Sequence, residues 1–374
     1  MKKIYEIQAE EEKKARAWLV GLPLLDNPSG LAELQGLIWT LGMEEAGQTI
    51  LSRLDVQPAY GMGSGKAKEI RDEALLAEAD CIIMDWELDP TKQRNWEKLC
   101  GIPVFDRQEV IIRIFASRAR TREAVLQVEL ARLEYSLPRL AHMYGDLARQ
   151  RGGNYGSKGS GEKQLELDRR QTRQKIQQVK EELAKVRKNR ETQRKRRQKI
   201  PLPSVALCGY TNAGKSSLLN ALTGSDALVE NKLFATLDPL TRRMKCAGSE
   251  ILLTDTVGFI SNLPHQLIDA FKSTLEEAAL SDALLLVLDS SDPNALDEAA
   301  TVLSVLEQIG AGDKPRLVVL NKIDVTQGGL KGSESLCGNL SALKERFPDA
   351  LEASAKTKAG LDLIKERVSA IVKA

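Results

Sequence analysis

Val205-Ala206-Leu207-Cys208 runs directly into Gly209-Tyr210-Thr211-Asn212-Ala213-Gly214-Lys215-Ser216-Ser217, and Leu218-Leu219-Asn220-Ala221-Leu222 continues at helical spacing. No other stretch restricts the fold as tightly. A buried strand, a glycine-bearing turn and a helix start, in that order, gather backbone N–H groups at a helix N-terminus, where an anion is favoured. The spacing of Gly209, Gly214, Lys215 and Ser216 is that of a phosphate loop. In such a loop the lysine reaches the β- and γ-phosphates and the serine hydroxyl ligates Mg²⁺.

Three later segments fit the same site. Ile251-Leu252-Leu253-Thr254 reads as a strand ending at Asp255-Thr256-Val257-Gly258; there Asp255 would hold Mg²⁺ through water and the Gly258 amide would meet the γ-phosphate. Leu317-Val318-Val319-Leu320 delivers Asn321-Lys322-Ile323-Asp324. The Asp324 carboxylate can accept from guanine N1–H and the exocyclic amine while Lys322 covers the ring; adenine lacks that donor pair, so the expected substrate is GTP rather than ATP. Ser354-Ala355-Lys356 lies where a backbone amide should meet the guanine carbonyl. Between phosphate loop and Asp255, Leu233-Phe234-Ala235-Thr236-Leu237-Asp238-Pro239 reads as a switch in which Thr236 closes over Mg²⁺ and the γ-phosphate, with Thr241 as the rival. Lys215, Thr236 and Gly258 are thus the expected catalytic residues, and Ser216, Thr236 and Asp255 the expected metal ligands. Phe259 follows Gly258, so the glutamine that orients water in many GTPases is absent and slow intrinsic turnover is expected. An earlier Gly63-Ser64-Gly65-Lys66 is a decoy, because a phosphate loop there would need glycine at Tyr60 and a hydroxyl at Ala67.

The 374 residues leave room for more than this domain. From Leu31 to Asp106 short apolar runs alternate with helical segments, as in Cys81-Ile82-Ile83-Met84 followed by Asp89-Pro90-Thr91, where Asp89 suits an N-cap and Pro90 the first helical position. Leu126, Leu130, Leu133 and Leu137, then Ile176, Val179, Leu183 and Val186, recur at spacings of four and three. They predict an antiparallel helical hairpin sealed along a narrow seam, with Gly152–Gly161 at its tip and a break or kink at Pro138. The expected architecture is α/β: an N-terminal α/β domain over residues 1–116, a projecting helical hairpin over 117–200, and a P-loop, Ras-like domain with a mostly parallel sheet flanked by helices over 201–374.

Net charge is only +2, so the distribution of charge matters more than its sum. A lone basic run such as Arg187–Lys199 is ordinarily a solvated helix face. Here it shares one element with a second basic zone around the glycine-rich loop, whose bare backbone can approach phosphates closely. That makes RNA contact the expectation for Arg151, Gly152, Gly153, Asn154, Lys158, Gly159, Lys163, Arg196 and Arg197. The five cysteines are odd in number and never fall as CxxC, so neither a zinc site nor a disulfide framework is indicated, and His142 and His265, with no triad or cage around them, suit surface or packing roles. No apolar stretch is long enough to span a bilayer and Met1–Glu10 has no signal core, so a cytoplasmic protein is expected, with peripheral membrane association left open and a monomer anticipated.

Taken together, GYTNAGKSS, FATLDP, DTVGF and NKID, with Arg118–Glu123, Leu126–Leu130 and Gly159–Glu166, resemble the HflX family of translational GTPases over most of the chain. The resemblance implies binding to the large ribosomal subunit and its RNA, with the hairpin loop near the peptidyl transferase centre, and GTP-dependent dissociation or rescue of stalled ribosomes. The chain departs from the family pattern at Leu240, where threonine is usual, and in the loop, which reads GSKGSGEK in place of GTRGPGET.

Overall fold

Strand β1 (Arg16–Gly21) lies between β2 (Glu44–Ile50) and β3 (Cys81–Met84), and β4 (Val104–Asp106) extends the sheet beyond β3, all four parallel in the order β2-β1-β3-β4. The computed structural model describes residues 14–22, 31–53, 59–150, 158–197, 202–225, 232–246, 249–261, 277–326 and 333–373, with backbone alone for 141–150, 158–164, 187, 189–197, 249 and 333–338. Helices α1 (Ala32–Thr40), α2 (Ser64–Leu76) and α3 (Pro90–Cys100) connect the four strands, as parallel pairing requires. Asp89 caps α3 by accepting from the Thr91 amide at 2.8 Å, and Pro90 opens the helix. At the C-terminal edge of this sheet the Arg107 guanidinium is buried between Asp85, at 2.7 Å, and Glu33. Burial raises the Asp85 carboxyl above the usual carboxylate range, and Arg107 opposes that shift. Gly63–Lys66 serves as the start of α2, with Lys66 paired to Glu69.

The chain divides into two compact units, Met1–Val110 and Ile111–Ala374, so the division falls within α4 (Arg107–Arg118), and the hairpin shares a unit with the nucleotide domain. In the second unit α5 (Arg122–Gln150) and α6 (Lys158–Arg197) lie antiparallel. Leu126, Val179 and Leu183 form the buried seam, flanked by Leu130, Leu133 and Val186, and Lys180 pairs with Glu134 at 2.8 Å. Two expectations need correction here. Pro138 does not break the first arm: α5 runs through it, because seam contacts before the proline hold the helix and outweigh one missing backbone hydrogen bond. Nor does the glycine-rich stretch stay a loop to residue 161, since α6 already includes Lys158, Gly159 and Lys163. Arg151, Gly152, Gly153 and Asn154 lie outside the described residues, and for Lys158, Lys163, Arg196 and Arg197 only the backbone is described.

The nucleotide domain is built on six strands in the order β10-β9-β8-β5-β7-β6: β5 (Ser204–Gly209), β6 (Leu240–Cys246), β7 (Ser249–Asp255), β8 (Ala283–Asp289), β9 (Arg316–Asn321) and β10 (Leu351–Glu352). All pairings are parallel except β6 with β7. β8, apolar from Ala283 to Leu288, is buried at every position, as a strand covered on both faces must be. Helices α7 (Lys215–Thr223), α8 (Ala295–Gln308), α10 (Ser333–Arg346) and α11 (Leu361–Ile371) accompany the sheet, with the single turn α9 (Ile323–Thr326) after β9. The core joins Val205, Leu207, Leu218, Leu253, Leu285, Val319 and Ile364. Strands β5, β7, β8 and β9 all end on one edge, which is where an open parallel sheet binds ligands.

Candidate active site

The loop after β5 takes conformations that its residue types permit. Gly209 has φ +154°, and a Cβ there would lie 2.2 Å from the Val287 carbonyl oxygen; Gly214 has φ +90°, and a Cβ would lie 2.3 Å from Asn321 Nδ2. Neither position admits a side chain. Asn212 takes φ 60°, a left-handed conformation that asparagine tolerates better than most residues. Lys215 is buried, and its ammonium donates to the carbonyl oxygens of Gly209 at 3.0 Å and Tyr210 at 2.7 Å. Burial lowers its pKa, with the nearby Asp255 carboxylate opposing the shift.

Asp255, at the end of β7, is fully buried. Its Oδ2 accepts from Ser216 Oγ at 2.6 Å and Thr236 Oγ1 at 2.9 Å, and those two hydroxyls are 2.9 Å apart. Its Oδ1 is buried without a hydrogen-bond partner. Burial raises the Asp255 pKa; Lys215 and the two hydroxyl donors pull it back. Of the two threonines the sequence left open, Thr236 is the one at this cluster. Thr241 sits in β6, hydrogen-bonded to Thr254 at 3.0 Å.

The segment after Asp255 is fastened to the phosphate loop. Thr256 Oγ1 donates to the Leu207 carbonyl at 2.6 Å, the Thr211 amide to Phe259 O at 2.7 Å, and the Ser261 amide to the Tyr210 hydroxyl at 2.6 Å. Gly258 is squeezed in between: a Cβ there would be 2.9 Å from Lys215 Nζ and from Thr211 Cα. Val257 and Phe259 are buried, so Phe259 offers no polar group to the cleft. That cleft, about 250 Å³, is lined by Thr211, Asn212, Ser216, Phe234, Ala235 and Thr236, among others. Leu237 is buried, and the Asp238 carboxylate is directed at the start of α5.

A second cavity of about 700 Å³ adjoins the first, sharing Gly214, Ser217 and Lys322 with it. Its walls are cross-braced. Asn321 donates to the Ala213 carbonyl at 2.9 Å and accepts from the Ala355 amide at 3.1 Å, which ties phosphate loop, β9 and the segment after β10 together. Ser354 Oγ donates to Asp324 Oδ1 at 2.6 Å and accepts from the Thr357 amide at 3.0 Å. Asp324 and Lys356 line the cavity, and Ile323 packs behind them at 9% exposure. Two participants were missed in the sequence. Asp289 pairs with Lys322 at 2.5 Å, and its signal was an acid at the C-terminal end of an apolar strand. Lys358 lines the cavity beyond the short Ser-Ala-Lys segment and carries no pattern of its own.

Three family models match the chain: "GTP-binding GTPase N-terminal" over residues 29–116, "GTP-binding GTPase Middle Region" over 118–197 and "50S ribosome-binding GTPase" over 204–322. A "GTPase HflX" of Akkermansia muciniphila is 48% identical over 343 residues, spanning 88% of this chain and 78% of that protein. The chain belongs to the HflX family of GTPases. It is a GTP-hydrolysing enzyme. Other HflX relatives agree: that of Caldanaerobacter subterraneus is 42% identical over 97% of this chain and 81% of its own length, and that of Escherichia coli 41% identical over 88% and 76%. Among solved structures, the SsGBP complex with GDP aligns over 96% of this chain and 99% of that one, at 26% identity and a TM-score of 0.53. Among the described residues no helix is long and apolar enough to cross a membrane.

Proposed function

We propose that this HflX-family GTPase binds the large ribosomal subunit through its hairpin and uses GTP to dissociate or rescue stalled ribosomes. The observation that carries the reading is the build of α6. Its 40 residues, at about 1.5 Å rise each, make a helix on the order of 60 Å long. It holds fifteen Lys and Arg against six Asp and Glu in a chain whose net charge is only +2. A long, strongly basic arm joined directly to a nucleotide domain suits a phosphate backbone, with Arg151, Gly152, Gly153, Asn154, Lys158, Gly159, Lys163, Arg196 and Arg197 as its RNA contacts. The "50S ribosome-binding GTPase" description of the family matched at 204–322 supports the same partner.

In this reading Asp324, held by Ser354, accepts from the guanine edge, Lys322 covers the ring, and the Ala355 amide meets the guanine carbonyl. Lys215 turns from its two backbone carbonyls to the phosphates. Ser216, Thr236 and Asp255 form a hard oxygen set with one buried carboxylate oxygen lacking a protein partner, which fits Mg²⁺. An ion held by these residues would neutralise charge on the phosphates. The Gly258 amide donates to the γ-phosphate. Phe259 cannot orient water, so a partner completes the site and unstimulated turnover is slow.

The test is GTP turnover with and without purified large subunits, alongside light scattering of intact ribosomes. A variant carrying a short neutral linker in place of Gly153–Gly161 is run in parallel. Stimulation and subunit dissociation that vanish in the variant are expected. GTP-dependent binding with neither stimulation nor dissociation would favour a passive GTP-locked module, a reading the apolar Phe259 keeps in view.

A further inference from the structure

The segment Phe234–Asp238 is fastened at three points, and the middle one is bonded to the expected metal ligands. Phe234, at φ 55°, holds a backbone conformation unusual for a bulky residue. Its buried ring meets Phe115 of α4 edge to face, centroids 4.6 Å apart and planes at 69°. Such a conformation persists where packing over-determines it. Thr236 is the middle point, on Ser216 and Asp255. Asp238 is the third: Oδ1 accepts from Thr121 Oγ1 at 2.6 Å, and Oδ2 accepts from the amides of Thr121 at 3.2 Å and Arg120 at 3.3 Å. Arg120 and Thr121 lie in the short joint between α4 and α5. Thr121 Oγ1 also accepts from the Ala124 amide at 3.2 Å, making it the N-cap of α5.

The α5 N-terminus therefore has a cap of its own, and a second, charged group reaches it from 117 residues away in sequence. A carboxylate is favoured at a helix N-terminus, and charge-assisted hydrogen bonds are roughly twice as strong as neutral ones. Two residues of chain span at most about 7 Å, so Thr236 cannot move far from the cluster while Asp238 stays on Thr121.

We propose that Asp238 is a positioning residue that latches the root of the hairpin when Thr236 closes over the metal and γ-phosphate position, and releases it when Thr236 leaves. The coupling works in both directions, because linkage is reciprocal: the latch favours the triphosphate over the diphosphate, and the triphosphate fixes the hairpin root. The inference rests on the GTPase assignment and not on the choice of ribosome as partner, so its test contains no ribosome.

The full chain with Mg²⁺ is titrated with fluorescent GDP and with the non-hydrolysable analogue GMPPNP, as wild type, Thr121→Val and Thr121→Ser. The valine variant keeps the shape and removes the hydroxyl. It is expected to weaken GMPPNP binding about 5- to 30-fold while GDP binding stays within about twofold, with serine restoring the wild-type ratio. Loss of both nucleotides in equal measure means an ordinary helix cap and overturns the proposal, as does no change in either. In the wild type, amide exchange at Arg120 and Thr121 is expected to be slower with GMPPNP than with GDP. Identical exchange in the two states overturns the latch whatever the valine variant does.

Discussion

The two halves of the proposed nucleotide cavity, one for the base and one for the phosphates, are held by different means. The base half is braced by strand ends and short side-chain bonds: Asn321 joins the phosphate loop to the segment after β10, Ser354 fixes Asp324, and Asp289 holds Lys322. The phosphate half depends on a switch segment whose hydroxyl, Thr236, meets Ser216 and Asp255, and whose neighbours are anchored on α4 and the start of α5. A braced wall suits a group that is the same in GTP and GDP. A wall hung from outside elements suits one that must respond to a single phosphate. Substitutions in the base half should therefore affect both nucleotides alike, and those in the phosphate half should separate them.

The largest effect is expected at Asp324. Asp324→Asn replaces an acceptor with a group that offers a donor to the guanine edge, and buried mismatches of this kind cost on the order of 10²- to 10⁴-fold. GDP and GTP should weaken together, and xanthosine nucleotides, with a carbonyl in place of the amine, should gain. Competition binding with the two bases measures it. Unequal losses for GDP and GTP would break the division of labour between the halves.

Gly258→Ala probes the other side. Its Cβ would press on Thr211 Cα and Lys215 Nζ at 2.9 Å, and the backbone contact cannot yield cheaply. Turnover should fall roughly 10- to 100-fold, less than the ~10²- to 10³-fold that follows loss of an oriented donor, because the amide is displaced and not removed. GDP affinity should change little. Single-turnover kinetics and a GDP titration on the same preparation decide the matter; a parallel loss of GDP binding would mean that the distortion spreads to the base half.

Asn321→Ala should cost stability more than selectivity. The side chain is 1% exposed and makes two hydrogen bonds, and its removal leaves the Ala213 carbonyl and the Ala355 amide without it. About 2 to 3 kcal/mol is the expected loss for a buried bond of this kind with orphaned partners. Thermal unfolding with and without GDP reads it, and a loss made good by nucleotide would place the brace in ligand binding rather than in folding.

What could be read in the chain beforehand follows the same division. Segments in which local pattern and tertiary role agree were legible: β5 with its loop, β7 ending at Asp255, β9 ending at Asn321, and α3 with its Asp89 cap. In the switch the sequence already favoured Thr236 with Thr241 as its rival, and the antiparallel pairing of β6 with β7, which carries Thr241 onto Thr254, leaves Thr236 at the cluster. The engagement of Asp238 with Thr121 could not be read at all, since no periodicity links residues 117 positions apart. Pro138 and the glycines at the start of α6 misled in the opposite sense, since α5 runs on past the proline and α6 already includes Gly159 and Gly161. Lys358 lines the base cavity by virtue of a turn at φ 64°.

The smallest expected effect is a thiol that does not react. Cys208 stands in β5 directly before the phosphate loop, fully buried, and burial pushes its pKa up to about 12. At pH 8 such a thiol is thiolate at about one part in 10⁴, against roughly a quarter for an ordinary cysteine. Iodoacetamide should leave Cys208 unmodified in the native protein over times that fully label an exposed thiol, and should label it in urea. The measurement sharpens the comparison because Cys208 lies beneath the half whose switch moves. If that motion is confined to Phe234–Asp238, labelling stays equally slow with GDP, with GMPPNP and in the Thr121→Val variant, and follows global unfolding alone. A labelling rate that depends on which nucleotide is present would mean that the strand opens with the switch, and the phosphate half would then be mobile down to its sheet.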